Sequence, residues 1–268
     1  MSVLIQTRWH SDDLAGRLIK GSAGGGEQWS VLSLPALAEE DDLLGRCVGD
    51  PLWPERFSRS VLLAKQRQLG SYSFASLYQQ RPVPREGALF KPTFFAGKII
   101  ARPPDGMTWF RGYDLAVSTR TSADYTASFR VAADGEGNLY IADGFRKRIE
   151  FPEQRRFVVD CMLSEKNTVH GIESALHGRA FVQELLRDTR LTSSVFRSVN
   201  VDKDKFTRAL AWANRAENGR VFLVNGPWID DFLDEAYNFP AGRHDDQIDA
   251  VSLAVQMMCS KPRRTAGF

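Results

Sequence analysis

The spacing of apolar positions in residues 1–81 predicts three helices and two short strands. Continuous apolar runs indicate buried strands at 3–7 and 29–34. Helical spacing covers residues 11–20, 58–69 and 73–80. A complete α/β domain needs more elements than these, so we expect this region to be only part of one.

Proline and glycine are concentrated between residues 82 and 108, in "RPVPREGALFKPTFF" and "ARPPDG". This composition is typical of a linker or a connecting hairpin. We therefore predict a first domain over 1–81, a connecting segment over 82–108 and a second domain over 109–268.

The pattern after this break predicts a fuller α/β domain. Three strands, within 107–117, 125–133 and 139–146, are separated by short turns and should form an antiparallel meander. Helices then alternate with strands to the end of the chain, with helices at 152–165, 178–188, 203–217, 227–236 and 245–259, and strands at 168–174, 193–199 and 220–224. This order predicts a mixed sheet, antiparallel and then parallel, with helices on both faces.

Composition and charge narrow the function classes only a little. The 268 residues are 43% hydrophobic and 25% charged, as in ordinary globular proteins, and the net charge of +2 means that nucleic-acid binding would need a local basic patch. Cys47, Cys161 and Cys259 lack the spacing of zinc ligands and favour a reducing compartment, and no signal peptide or membrane-spanning run occurs. We therefore expect a cytoplasmic protein.

The motif GxxxxGK[ST] is absent, so the sequence has no phosphate-binding P-loop.

Residues 242–258, "GRHDDQIDAVSLAVQMM", combine acidic and apolar positions on one predicted helix. Its apolar residues recur every three or four positions, which predicts one buried face. Asp245 suits an N-cap, and acids in a first turn suit the helix dipole. Asp249 lies a turn further in, on the same side as Asp245 and Asp246, where like charges repel each other. The acids are therefore either caps or ligands of a cation.

Two further acids end predicted strands. Asp114 closes the first strand of the second domain and Glu173 closes the fourth. A right-handed crossover tends to bring these strands side by side, and open sheets form sites at such strand ends. Either acid alone is commonly a cap or half of a salt bridge. Together with the acidic helix start, they indicate a carboxylate site for a hard cation, magnesium or manganese.

The segments "YDLAVSTRTSADYTA", "GIES", "GRAFVQEL", "DKDKFTRALAWANRAENGRVFLVNGPW" and "DEAYNFPAGRHDDQIDAVSLA" resemble the nuclease domain of tailed-phage terminase large subunits. The resemblance implies an RNase H-like fold and a metal-dependent endonuclease that cuts double-stranded DNA during genome packaging. It implies Asp114, Glu173 and Asp249 as catalytic metal ligands, with Asp246 a further ligand and Asp245 the weakest candidate. Two Mg²⁺ or Mn²⁺ ions would serve as cofactors.

The start of the chain, "VLIQTRWHSDDLAGRL", resembles the closing part of the terminase ATPase domain, where Thr7 matches a motif that couples hydrolysis to DNA movement. The chain would then be the C-terminal part of a terminase, as a fragment or a prophage remnant. The implied partners are the portal protein and the small terminase subunit, in the cytoplasm of a bacterial host. Without a P-loop, no ATPase activity is expected from this chain alone.

Local positive charge offers candidates for DNA contact. Lys203, Lys205 and Arg208 form one group, and Lys205 and Arg208 share a predicted helix face. The run 146–148 is a weaker candidate, and both groups could equally be solvated surface. The alternative functions are another RNase H-like nuclease, such as a resolvase, and a non-catalytic remnant that binds DNA or packaging partners.

Overall fold

The computed structural model describes residues 2–9, 13–82, 88–116, 125–174, 176–191 and 195–260. The chain divides into two compact units, Met1–Gly87 and Ala88–Phe268. No helix in these ranges is long and apolar enough to cross a membrane.

The described residues of the first unit form two helices, α1 (Leu14–Ala23) and α2 (Arg59–Leu77). Asp13 caps α1 by accepting the Gly16 N–H, and the same carboxylate pairs with Arg8 at 2.9 Å. Gly70 interrupts α2 with a φ of 78°, a conformation that glycine adopts without steric cost. This kink explains why the sequence pattern divides the region into two helices.

The strands predicted at 3–7 and 29–34 are wrong for the described structure. Neither segment has a strand partner, and the described residues of the first unit contain only an isolated bridge between Leu37 and Pro51. Val3 and Ile5 are largely exposed to solvent. An apolar run forms a buried strand only when a sheet edge is available to pair with it, and this unit offers none among those residues.

The second unit is built on a seven-stranded mixed sheet in the order β1-β7-β4-β3-β2-β5-β6. Its strands are β1 (Ile99–Ile100), β2 (Trp109–Asp114), β3 (Thr126–Ala133), β4 (Leu139–Lys147), β5 (Thr168–Glu173), β6 (Val195–Val199) and β7 (Val221–Val224). β2, β3 and β4 form an antiparallel meander, and β5 and β6 continue the sheet in parallel beyond β2. The predicted mixed sheet, antiparallel and then parallel, is confirmed.

Helices cover both faces of this sheet, as predicted. They are α3 (Pro92–Phe95), α4 (Phe151–Ser164), α5 (Leu176–Leu185), α6 (Lys205–Glu217), α7 (Ile229–Asn238) and α8 (Asp246–Cys259). On one face, Tyr113 and Ile172 pack with residues of α4 and α5. On the other face, α8 lies on β2 and β3, and α6 and α7 pack against α8.

Gly112 permits the close approach of α8 to β2. A Cβ atom at this position would collide with the Ala250 carbonyl oxygen and would lie 2.9 Å from the Ala254 nitrogen. Because α8 is also covered by α6 and α7, all of its residues from 246 to 255 are buried, and not only the predicted apolar face. The approach brings the acidic start of α8 towards the end of β2.

The segment 82–108 differs from the predicted linker, because residues 88–108 belong to the second unit. Phe90 is fully buried and stacks on Trp212 at 4.1 Å between ring centroids. The Leu89 N–H donates to the Phe239 carbonyl oxygen at 3.0 Å, and β1 pairs with β7. Proline and glycine mark breaks in regular structure, but the aromatic residues between them still bury apolar surface.

Candidate metal centre

Asp114 and Glu173 occupy neighbouring strand ends at one edge of the sheet. β2 and β5 run parallel and pair Tyr113 with Ile172, so the next residue of each strand is one of these acids. Both side chains are half-buried. The sequence-based prediction that the two acids are neighbours is confirmed.

The start of α8 adds further carboxylates to this edge. The pKa of Asp114 is raised well above its usual value, first by burial and then by the negative charges of Asp249 and Asp246. Lys205 partly opposes this shift, and Glu173 adds to it. The negative charges of three other carboxylates therefore act on Asp114 at the end of β2.

Asp249 is buried and held by two cations. Its Oδ1 lies 2.8 Å from Arg208 Nη2, and its Oδ2 lies 2.9 Å from Lys205 Nζ. Burial raises the pKa of Asp249, and the attraction of Arg208 and Lys205 opposes that rise. Both carboxylate oxygens of this acid are thus occupied by ion pairs.

Lys205 bridges two of the three aspartates of the acidic helix start. Its Nζ lies 2.7 Å from Asp245 Oδ1 as well as 2.9 Å from Asp249 Oδ2. Burial opposes the charge of Lys205, but the bonds to these two acids outweigh burial and raise its pKa above the usual value. Lys205 opens α6, where Asp204 serves as the N-cap by accepting the Thr207 N–H.

Lys205 and Arg208, two of the three residues predicted to contact DNA, form ion pairs with the start of α8. Lys205 and Arg208 do share a helix face, but that face is turned to α8, and Arg208 is buried. A buried carboxylate such as Asp249 needs an opposite charge, and the predicted DNA contacts supply it. Lys203, the third member of the group, is exposed. Charge spacing along the chain could not reveal this pairing across 41 residues.

The cap of α8 is also different from the one predicted. Asp245 stands at the N-cap position but makes no capping bond with its side chain. Glu235 of α7 takes that role, because its Oε1 accepts the Gln247 N–H at 2.7 Å and the Ile248 N–H at 3.2 Å. Sequence reasoning missed Glu235, since no local pattern connects it with a helix that begins eleven residues later.

Asp246, the first residue of α8, lies beside an aromatic and basic cluster. Asp246 is buried, and His244 Nδ1 lies 3.8 Å from its Oδ2. The His244 ring contacts Tyr125 edge-on at 5.1 Å. The guanidinium carbons of Arg146 and Arg148 lie 3.9 and 4.2 Å from the Tyr125 ring centroid. Since Arg146 pairs with Ala127 and Ala127 with Asp114, these arginines lie along the same sheet edge.

The donor chemistry of the centre fits a hard divalent cation, because every candidate ligand is a carboxylate. Asp114, Glu173, Asp246 and Asp249 are the residues that could hold it. Within the described ranges, no three Asp, Glu, His or Cys side chains are grouped so that they could hold an ion as they stand. Thr7 lies exposed in the first unit, outside helix and strand, and its predicted role stays a prediction.

Comparison with known proteins assigns the second unit. Residues 111–258 match the family profile described as "Terminase RNaseH-like domain". No curated protein matches the chain by sequence.

Three solved structures are similar to this chain. The large terminase of one thermophilic bacteriophage has 12% identity and a TM-score of 0.57 over 76% of this chain and 53% of its own. This chain therefore spans about half the length of that large terminase. The human cytomegalovirus terminase nuclease domain has 15% identity and a TM-score of 0.48, covering 63% of this chain and 94% of its own. The large terminase nuclease of thermophilic phage G20c, solved with bound magnesium, has 18% identity and a TM-score of 0.42, with coverages of 58% and 84%.

The likeness to the first of these structures, at so low an identity, is a likeness of fold. The family match covers more than half of the 268 residues and includes most of β2, all of β3 to β7 and most of α8. The mixed sheet, its strand order and the helices on both faces are those of an RNase H-like nuclease domain. The chain belongs to the terminase RNaseH-like domain family.

Proposed function

We propose that this chain is a metal-dependent endonuclease that cuts double-stranded DNA during phage genome packaging. One observation carries the proposal: Asp114 ends β2 under the combined charge of Asp249, Asp246 and Glu173. Clustered carboxylates raise one another's free energy, and a cation removes that cost. A fold needs no such cluster for stability, so the arrangement supports a functional site.

Asp114, Glu173 and Asp249 would hold the metal, with Asp246 as a further ligand. Two bound Mg²⁺ or Mn²⁺ ions would activate water and stabilise the leaving 3′ oxygen during in-line attack on a phosphodiester. Asp114 takes the central place, because it lies between the end of β5 and the start of α8. Glu235 holds the first turn of α8 in place, and Gly112 allows that helix to reach the strand end.

Double-stranded DNA would meet the protein on the exposed side of this sheet edge. Lys203 is exposed, and Arg146 and Arg148 flank the centre around Tyr125. Guanidinium and ammonium groups bind phosphates without reading bases, so little sequence preference is expected. Arg208 is a weaker candidate for this contact than its sequence position indicated, because it is buried on Asp249.

The remaining parts of the proposal concern the packaging motor. The first unit corresponds to the closing part of an ATPase domain, with Thr7 in the coupling motif. The family match begins at residue 111, so this assignment rests on the resemblance carried by "VLIQTRWHSDDLAGRL". The portal protein and the small terminase subunit are the expected partners, in the cytoplasm of the bacterial host.

Nicking of supercoiled plasmid tests the activity. The wild-type protein should cleave with Mn²⁺ or Mg²⁺ and should be inactive in EDTA. Asp114→Asn should abolish cleavage while the protein stays folded and equally or more stable, because a half-buried acid that neighbouring carboxylates repel has been neutralised. Asp105→Asn, in an exposed turn, is the matched control and should cut like the wild type. Activity that survives EDTA, or an active Asp114→Asn protein, would reject the proposal.

A non-catalytic DNA-binding protein is the second candidate. The observation in its favour is that Arg208 and Lys205 already neutralise Asp249. Such a protein would bind short DNA duplexes with equal affinity in Mn²⁺ and in EDTA, as measured by gel shift. It would leave plasmid uncut under both conditions.

A further inference from the structure

We infer that Lys205 is a tethered cation that competes with the divalent metal for Asp249, so that metal binding requires its displacement. Lys205 is then a positioning residue that sets the metal affinity of the centre. The inference rests on the proposed function, because it assumes that Asp249 is a metal ligand.

The ion pairs of Asp249 carry the first step. Arg208 Nη2 takes one carboxylate oxygen at 2.8 Å and Lys205 Nζ takes the other at 2.9 Å. A metal ion needs at least one of these oxygens at short range. Each carboxylate oxygen keeps a lone pair beside its ion pair, but a divalent metal bound there would be repelled by the adjacent cation. One of the two cations must therefore move away from Asp249 for the metal to bind tightly.

Exposure decides which of the two cations leaves. The Arg208 side chain is 7% exposed, whereas that of Lys205 is 53% exposed. Displaced Arg208 would remain in the protein interior without its counter-charge, which is strongly unfavourable. Displaced Lys205 can move into water on its flexible four-carbon stem, and exposed ion pairs contribute little to stability. Lys205 is thus the replaceable cation and Arg208 the permanent one.

The charge of Lys205 acts beyond Asp249. Lys205 opposes the effect of the neighbouring acids on Asp114, and it also bonds to Asp245 at 2.7 Å. Lys205 therefore supplies one positive charge at a position where a divalent ion would stabilise the carboxylates more strongly. An ammonium group and a metal ion repel each other at short range. Binding of both to Asp249 at the same time is therefore unfavourable.

Calorimetric titration with Mn²⁺ tests the competition directly. Lys205→Met keeps the apolar stem and removes the charge, so Mn²⁺ affinity should rise about threefold to tenfold, the range expected for removing one partly exposed charge. Lys203→Met is the matched control, two residues away and exposed, and its Mn²⁺ affinity should equal that of the wild type. A folded Lys205→Met protein with unchanged or weaker Mn²⁺ affinity would overturn the inference.

A second measurement uses the wild-type protein and does not depend on how a variant folds. Lysines are acetylated with an amine-reactive ester, with and without saturating Mn²⁺, and modification is read by mass spectrometry. Lys205 should react several times faster with Mn²⁺, while Lys203, the internal reference, should keep its rate. Equal or slower labelling of Lys205 contradicts the inference.

The two failures can be told apart. If wild-type protein and Asp114→Asn bind Mn²⁺ alike, or neither binds it, the proposed function fails and the inference fails with it. If Asp114→Asn abolishes Mn²⁺ binding but Lys205→Met leaves it unchanged, the metal centre stands and only the role of Lys205 is rejected.

Discussion

Arg208 Nη2 and Asp249 Oδ1 lie 2.8 Å apart in the interior, where both side chains are less than a tenth exposed. The pair joins α6 to α8 beside the strand end that carries Asp114. A buried ion pair rarely adds net stability over apolar residues, but breaking it leaves a charge without its partner. This pair therefore ties the structure of the centre to the position of α6.

Removing Arg208 should be costly. Arg208→Met should lower the free energy of unfolding by about 3–5 kcal/mol, because Asp249 would keep only the half-exposed Lys205 as its partner. The double variant Arg208→Met/Asp249→Leu should recover most of this loss. Urea unfolding in EDTA measures both, with Arg102→Met at an exposed position as the control. Independent, additive effects of the two substitutions would argue against the pair.

The three aspartates of the α8 start should differ in their effects. Asp249→Asn should abolish cleavage and the stabilisation by Mn²⁺, because it removes a proposed ligand at the end of β2. Asp246→Asn should reduce cleavage less. Asp245→Asn should retain cleavage, because the Asp245 side chain makes no capping bond to α8. Its hydrogen bond in the centre is the one that it accepts from Lys205 Nζ. Nicking rates and melting temperatures with and without Mn²⁺ check these expectations, and wild-type cleavage by Asp249→Asn would exclude that residue as a ligand.

Acid should destabilise the second unit through His170. Burial, followed by the charges of Arg111 and Arg130, lowers the pKa of His170 to about 3, and its Nδ1 lies 2.8 Å from the Tyr113 hydroxyl. In the unfolded chain the His170 imidazole becomes protonated near pH 6.5, whereas in the folded protein it stays neutral until about pH 3. The free energy of unfolding therefore falls as the pH drops below 6.5. Between about pH 7 and pH 5 this single group should cost about 2 kcal/mol. His170→Gln should show a correspondingly flatter pH dependence in urea unfolding, and an unchanged slope would count against this cause.

Gly112→Ala should disturb the contact between β2 and α8. The added Cβ would meet the Ala250 carbonyl oxygen, and backbone cannot move aside as a flexible side chain can. Overpacking of this kind costs about 1–3 kcal/mol. Cleavage should fall as well, since α8 carries Asp246 and Asp249 away from Asp114 when it shifts. Gly135→Ala, where no atom lies within 4 Å of the added Cβ, is the control for both readouts and should behave like the wild type.

Several features of the centre follow from local pattern. Asp114 and Glu173 stand at the ends of apolar strands, and a parallel crossover places such ends side by side. The helical spacing after residue 245 placed α8, and Asp249 was unusual there because no free N–H needs a cap so far inside a helix. These inferences needed only the periods of strand and helix, which are properties of the backbone.

Other features depended on contacts between distant segments. The chain alone gave no sign that Lys205 and Arg208 would turn towards Asp249, because any charge run can equally face water. Glu235 caps α8 only because α7 packs against it. Phe90 makes 88–108 part of the second unit through its burial on Trp212, although the composition of that segment indicated a linker.

Hydrophobic periodicity after residue 108 thus predicted most helices and strands of the second unit, the mixed character of its sheet and the position of Asp114 and Glu173 at strand ends. Tertiary structure decided which charges pair. A buried carboxylate such as Asp249 loses its hydration and needs an opposite charge, and the packing of α6 against α8 places Arg208 beside it. The predicted strands at 3–7 and 29–34 illustrate the same limit, because an apolar run pairs only where a sheet edge meets it. Strand pairing, ion pairing and burial each depend on two segments in contact, so the sequence of one segment alone does not determine them.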